Sequence, residues 1–173
     1  MIQRIGLTVK QMLERTTQIL LTLTSSNTGL IGRHKFIFTG VNTGEVTVKE
    51  YKNIVVNSGK NMIARRLAGE NNSCNITYGA VGTLATTPLD SDTILGTEIA
   101  RKAVSSISAS GGVVTVTVFF TASEGNGNLR EYGLFGEGAV SIADTGVLVI
   151  HALINEDKTS SKTLTIESTI EVK

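Results

Sequence analysis

From Lys35 to Val172 the chain keeps returning to a period of two: an apolar or β-branched residue, a small polar one, then another apolar one, in short runs closed by glycine-rich turns. That period places alternate side chains on opposite faces of an extended strand, and a helix cannot use it. Phe36 and Phe38 alternate with Ile37, and Val46 and Val48 with Thr47; GVNTG between the two runs offers Asn42 and Gly44 for the left-handed angles of a hairpin turn. Residues 103–107 face 113–119 across Ser110, Gly111 and Gly112 in the same way. Ile76, Tyr78 and Ala80 alternate against Thr77, Gly79 and Val81, and LREYGLF, GVLVIHALI and TLTIESTIEVK complete at least three further strands. One proline and 18 glycines suit strands joined by tight turns. The fold class that follows is mainly β: an antiparallel sandwich or barrel-like domain over residues 33–173.

Two segments break the pattern. NSGKNMIARRLAGEN reads as one short helix over about residues 58–68, with Asn57 or Ser58 as N-cap, Met62, Ile63 and Leu67 on its apolar face and Gly69 after its last turn. Arg65 and Arg66 there meet the negative end of the helix dipole. Residues 1–32 read as an N-terminal extension. Met12, Leu13, Ile19, Leu20 and Leu23 fall on one side of a helix over residues 6–24, an interface for a neighbouring subunit or for the chain's own domain, but TQILLTLT alternates equally well as a strand. TPLDSDTILGTEIA reads as a loop with one helical turn over residues 93–95, and ASEGNGN as a flexible loop.

Chemistry is sparse. Sixteen basic and 15 acidic residues give no long-range field to gather nucleic acid or an anionic membrane. The N-terminus carries scattered charges and no secretory leader, and LLTLT is too short to span a bilayer, so synthesis in a cytoplasm is expected. Cys74 stands alone and reads as a small apolar filler. His34 and His151 lie far apart, and His151, mid-strand, reads as a buried histidine with one ring nitrogen satisfied. The Asp90-Ser91-Asp92 run lacks the glycine and glutamate of a calcium loop. No phosphate loop or nucleophile elbow occurs. No catalytic residue, metal or cofactor is therefore assigned, and the chain is not expected to be an enzyme.

The stretch NLREYGLFGEG sets an Arg-Glu pair against a Leu-Phe core signal. In a strand, Leu129, Glu131, Gly133 and Phe135 share one face and Arg130, Tyr132 and Leu134 the other, so each face carries a charge among apolar groups. Buried charges need partners. The nearest in kind are Glu98 and Arg101 of TEIARK, which predicts a network in which Arg130 meets Glu98 or Glu131 meets Arg101, with Gly133 allowing a bulge or a close backbone approach.

The order of features from 53 to 172 resembles virion structural proteins of tailed bacteriophages. NIVVNSGKNMIARRLAG is similar to their opening helix. ITYGAVGT and TPLDSDTILGTEIARKAV are similar to their strand, Gly-rich turn and Glu-then-Arg segment, and NLREYGLFGEG to the [IL]-R-E-x-G-L-F element that follows. The family named by this order is the N-terminal domain of tail-collar fibre proteins, with related baseplate-associated proteins. The resemblance implies a non-enzymatic virion component of the tail, collar, baseplate or fibre-attachment region. It further implies assembly in the host cytoplasm, docking on other virion proteins, and a homo-oligomer, with trimers common in fibre-like settings. No shaft or receptor-binding tip follows Lys173 in this sequence. A capsid decoration or head-fibre protein is the alternative. A carbohydrate-binding module is a further one, weakened by the absence of tryptophan and by only three tyrosines.

Overall fold

The computed structural model describes residues 29–70 and 74–173. The N-terminal interface residues Met12, Leu13, Ile19, Leu20 and Leu23, and the choice between helix and strand over 6–24, lie outside the described residues.

The alternating runs become eight antiparallel strands: β1 Leu30–Gly40, β2 Val46–Val55, β3 Ile76–Gly82, β4 Glu98–Ser110, β5 Val113–Phe120, β6 Gly127–Gly136, β7 Val147–Lys158 and β8 Lys162–Val172. They close into a barrel in the order β1-β2-β7-β6-β3-β4-β5-β8. Strand β1 begins at Leu30, so a domain boundary at residue 33 cuts into the first strand. The hairpin between β4 and β5 turns at Gly111 and Gly112, whose φ angles of 58° and 80° suit a tight turn with positive φ at both central residues. In the β1–β2 turn Gly44 takes the left-handed angle and Asn42 does not.

The period of two decides what fills the barrel. Phe36 and Phe38 of β1, Val116, Val118 and Phe120 of β5, and Leu164, Ile166 and Ile170 of β8 all point inward. Tyr132 and Leu134 join them from β6, and Ile150, Ala152 and Ile154 from β7. One polar layer interrupts this core. His34 and Ser168 are hydrogen-bonded (Nδ1 to Oγ, 2.8 Å), and the Tyr132 hydroxyl lies 3.3 Å from the same Oγ. Burial drives the His34 imidazole down to about 3 and the Tyr132 phenol well above its usual range, so both stay neutral.

Closure is uneven. Strands β2 and β7 pair only through Ile54–His151 and Val55–Ile150. Beyond these pairs Tyr51 bridges the seam, its hydroxyl donating to the Glu156 carboxylate. Burial and that carboxylate push its phenol up to about 12. Val46 and Val48, on the open half of β2, are exposed rather than in the core. Their outward position follows from register: they stand opposite Thr39 and Ile37 of β1, on the face away from Phe36 and Phe38.

Helix α1, Asn57–Leu67, packs against the start of β7. Neither Asn57 nor Ser58 caps it through its side chain; Val56 is the N-cap. The Asn57 N–H donates instead to the Asp90 carbonyl (2.8 Å), and the Ser58 hydroxyl to the Leu148 carbonyl (2.7 Å). The orphan donor of a first turn is thus satisfied by a distant loop. Arg65 pairs with Glu137 at 2.8 Å in the last turn, and Gly69 follows it with φ 73°. Leu67 is exposed, because the buried face of α1 runs through Gly59 and Met62.

Candidate functional site

The β6 segment is covered on both faces. Its inner face carries Leu129, Tyr132 and Leu134; Glu131, Gly133 and Phe135 point outward. The expected alternation holds from Glu131 onward. It fails at Leu129, because a register shift between Leu129 and Glu131 flips one residue. Arg130 sits at that bulge.

What covers the outer face is the long connection from β3 to β4, residues 83–97, which lies across the barrel wall as a strap. Its base is closed by Thr83 N–H donating to the Thr97 carbonyl (3.0 Å). Leu95 anchors it by packing on Ala80, Phe135 and Leu148 in a second apolar cluster with Val56. A Cβ at Gly133 would stand 3.0 Å from Leu95 Cδ2 and 2.8 Å from Leu148 Cδ1. Gly133 therefore serves close approach; the bulges flank it. The strap contains no helical turn over 93–95.

Glu131, fully buried, receives the strap's backbone donors. Its Oε1 accepts Thr97 N–H (2.7 Å) and Leu84 N–H (3.2 Å), and its Oε2 accepts Gly96 N–H (2.8 Å). His151 stands opposite Gly133 on β7, between two acids. Its Nδ1 is 2.8 Å from Asp92 Oδ2 in the middle of the strap, and its Nε2 is 3.3 Å from Glu131 Oε2, an ion-pair distance without hydrogen-bond alignment. Burial alone would raise the Glu131 carboxyl, but His151 and the three N–H groups outweigh it and hold the pKa below the usual value. Burial alone would lower His151; the carboxylates of Glu131 and Asp92 beside the ring outweigh that and raise it.

Glu98 and Arg101 pair with each other, Nε to Oε1 at 2.8 Å and Nη2 to Oε2 at 2.7 Å, with both side chains buried. The Arg101 Nη1 donates to the Thr145 carbonyl (2.7 Å), and the guanidinium lies over the Phe135 ring at 4.1 Å. Arg101 thus holds the β6–β7 connection as Glu131 holds the strap. Only Ala80 and Gly82 of β3 stand between the rows, opposite Arg101 and Gly133, and opposite Glu98 and Glu131, respectively.

The four charged residues singled out from sequence are therefore brought to the two strands that flank β3, but in other pairings. Arg130 does not reach Glu98. It bonds the carbonyls of Leu129 and Glu156 and an exposed Asp157 at 3.2 Å. Glu131 does not reach Arg101; its partners are His151 and the strap backbone. Asp92 and His151 were the residues missed. The strand periodicity put His151 on one face, but only the strap's path brings Asp92 to it.

At one end of the barrel a cleft of about 520 Å³ opens between α1 and the β4–β5 hairpin, lined by Met62, Ile63, Leu67, Ile107, Val114 and Ile170 among others. The β5–β6 turn, ASEGNGN, is pinned rather than loose. The buried Lys158 ammonium donates to the Thr121 and Ala122 carbonyls and to Asn126 Oδ1, and Lys102 pairs with Glu124 at 2.7 Å. Cys74 is buried and unbridged. Among the described residues no cluster of His, Cys, Asp and Glu could hold a metal ion, and no helix is long and apolar enough to cross a membrane. No family model, curated protein or solved structure matches the chain.

Proposed function

We propose that the chain is a non-enzymatic structural protein of a tailed-bacteriophage particle, placed in the tail, collar, baseplate or fibre-attachment region. It works by assembling with copies of itself and docking on other virion proteins. The observation that carries this reading is the use made of the charged residues in its motif-bearing segments. Glu98 and Arg101 are buried and paired, with Arg101 also bonding the β6–β7 connection, and Glu131 is buried and bonds the strap, so their chemistry goes into holding two long connections on a barrel wall. Such a wall is a shape to be packed against. Exposed Leu67, Ile107 and Val172 around the apolar cleft add surface of the kind that interfaces cover.

The test is to locate the chain in purified particles by electron microscopy with a labelled copy, alongside light scattering of the isolated protein. The reading expects label at the tail or collar and a symmetric oligomer in solution. Absence from mature particles, or a clean monomer at high concentration, overturns it.

A further inference from the structure

The Asp92–His151–Glu131 cluster joins three separate elements: the middle of the strap, β7 and β6. Both ring nitrogens of His151 face a carboxylate oxygen, Nδ1 toward Asp92 at 2.8 Å and Nε2 toward Glu131 at 3.3 Å. Only the imidazolium carries a proton on each nitrogen. A neutral ring presents a lone pair to one acid or the other, whichever tautomer it takes. Among the described residues the ring's charged partners are these two acids: its ladder neighbours are Ile54 on β2 and Gly133 on β6, and Lys60 of α1 pairs with Asp90 at 3.3 Å.

We propose that this cluster is a proton-operated clasp, closed on the strap while His151 is charged and released at the strap's centre when the ring loses its proton. The two acids differ in what they can do without it. Glu131 is wholly buried and cannot be hydrated, so the remaining ring proton stays on Nε2, facing it. The Asp92 side chain is 24% exposed and can turn to water. Release is therefore local. Leu95 in its apolar seat and the Glu131 bonds to Leu84, Gly96 and Thr97 keep both ends of the strap in place. The centre carries the exposed side chains of Leu89 and Ile94, and it also supplies the Asp90 carbonyl that receives the Asn57 N–H at the start of α1. Opening the clasp thus frees the Asn57 N–H from the strap, while Ser58 and Gly59 stay on β7.

The sign follows from the geometry. His151 is raised above its ordinary 6.5 by its two acids, against burial. The clasp is fully closed below about 6.5 and opens as pH rises through the folded-state midpoint. The experiment is hydrogen exchange by NMR across neutral to alkaline pH, corrected for intrinsic exchange, with the His151 ring titrated in the same samples. The expected result is a midpoint above 6.5. Protection at Asn57 should fall about tenfold for each pH unit by which that midpoint exceeds the ordinary value, with Gly96 and Thr97 unchanged. In His151→Gln, Asn57 protection should be low and flat with pH. In Asp92→Asn, which alters a partly exposed group and leaves Glu131 in place, the midpoint and the fall should both move down. A midpoint at or below 6.5, protection at Asn57 that stays flat through the midpoint, or a fall that persists in Asp92→Asn at the original pH overturns the proposal.

Discussion

Arg130 and Glu131 are adjacent in the chain, Arg130 within a bulge and Glu131 just past it, and their energetic weights differ with their burial. Glu131 is fully buried, with three backbone N–H donors and a histidine around it. Glu131→Gln keeps the shape but aims an amide N–H₂ at donors, so equilibrium urea unfolding should show a loss of about 3 to 5 kcal/mol. Arg130 spends its guanidinium on two carbonyls and an exposed aspartate. A pair open to solvent is worth little, so Arg130→Ala should cost less than about 1 kcal/mol. Equal losses in the two variants would refute this division. Sequence reasoning could see that a charge on each face of β6 needs an explanation. It could not see which charge the strap would bury.

At the scale of elements, the helix and the strap are held on the barrel by backbone contact as much as by side chains. Gly59 of α1 lies directly against Val149 of β7; a Cβ there would overlap the Val149 carbonyl. Alanine is the better helix former by about 0.5 to 1 kcal/mol, yet Gly59→Ala should destabilise the fold by about 1 to 3 kcal/mol, since the clash is with backbone and cannot be relieved by a rotamer. A stabilised Gly59→Ala variant in thermal unfolding would show that the helix is free to shift outward. Strands and helix were legible because each is a local pattern, period two or 3.6. The strap was legible only as a loop, because its conformation is set by what it lies on: Leu95 in an apolar seat and donors aimed at Glu131.

For the whole molecule, the two histidines give opposite pH dependences. His34, inside the barrel, is held by burial at about 3. Its unfolded form takes up a proton near 6.5, so stability is complete above that pH and falls as pH drops, by about 1.4 kcal/mol per unit. The contribution of His151 has the reverse sign and is lost above 6.5. Between about pH 6.5 and 5, above the range in which ordinary carboxylates titrate, His34 sets the slope. Denaturant midpoints measured over that window should decline in the wild-type chain and level off in His34→Leu. An unchanged slope in the variant would place the acid sensitivity elsewhere.

The sequence by itself determined that this is an antiparallel β protein with one short helix after the second strand, because side-chain alternation and turn chemistry act between near neighbours. It also marked Glu98, Arg101, Arg130, Glu131 and Gly133 as residues under unusual demand, because charge and glycine inside a core pattern require a reason. Only the tertiary structure decided how they pair. Strand β3, with Ala80 and Gly82 between the rows, sets Arg101 beside the β6–β7 connection and Glu131 beneath the strap, and the strap delivers Asp92 to His151. Apart from Glu98 and Arg101, three residues apart, those meetings join residues far apart along the chain, and the distance that matters to a charge is the one through space.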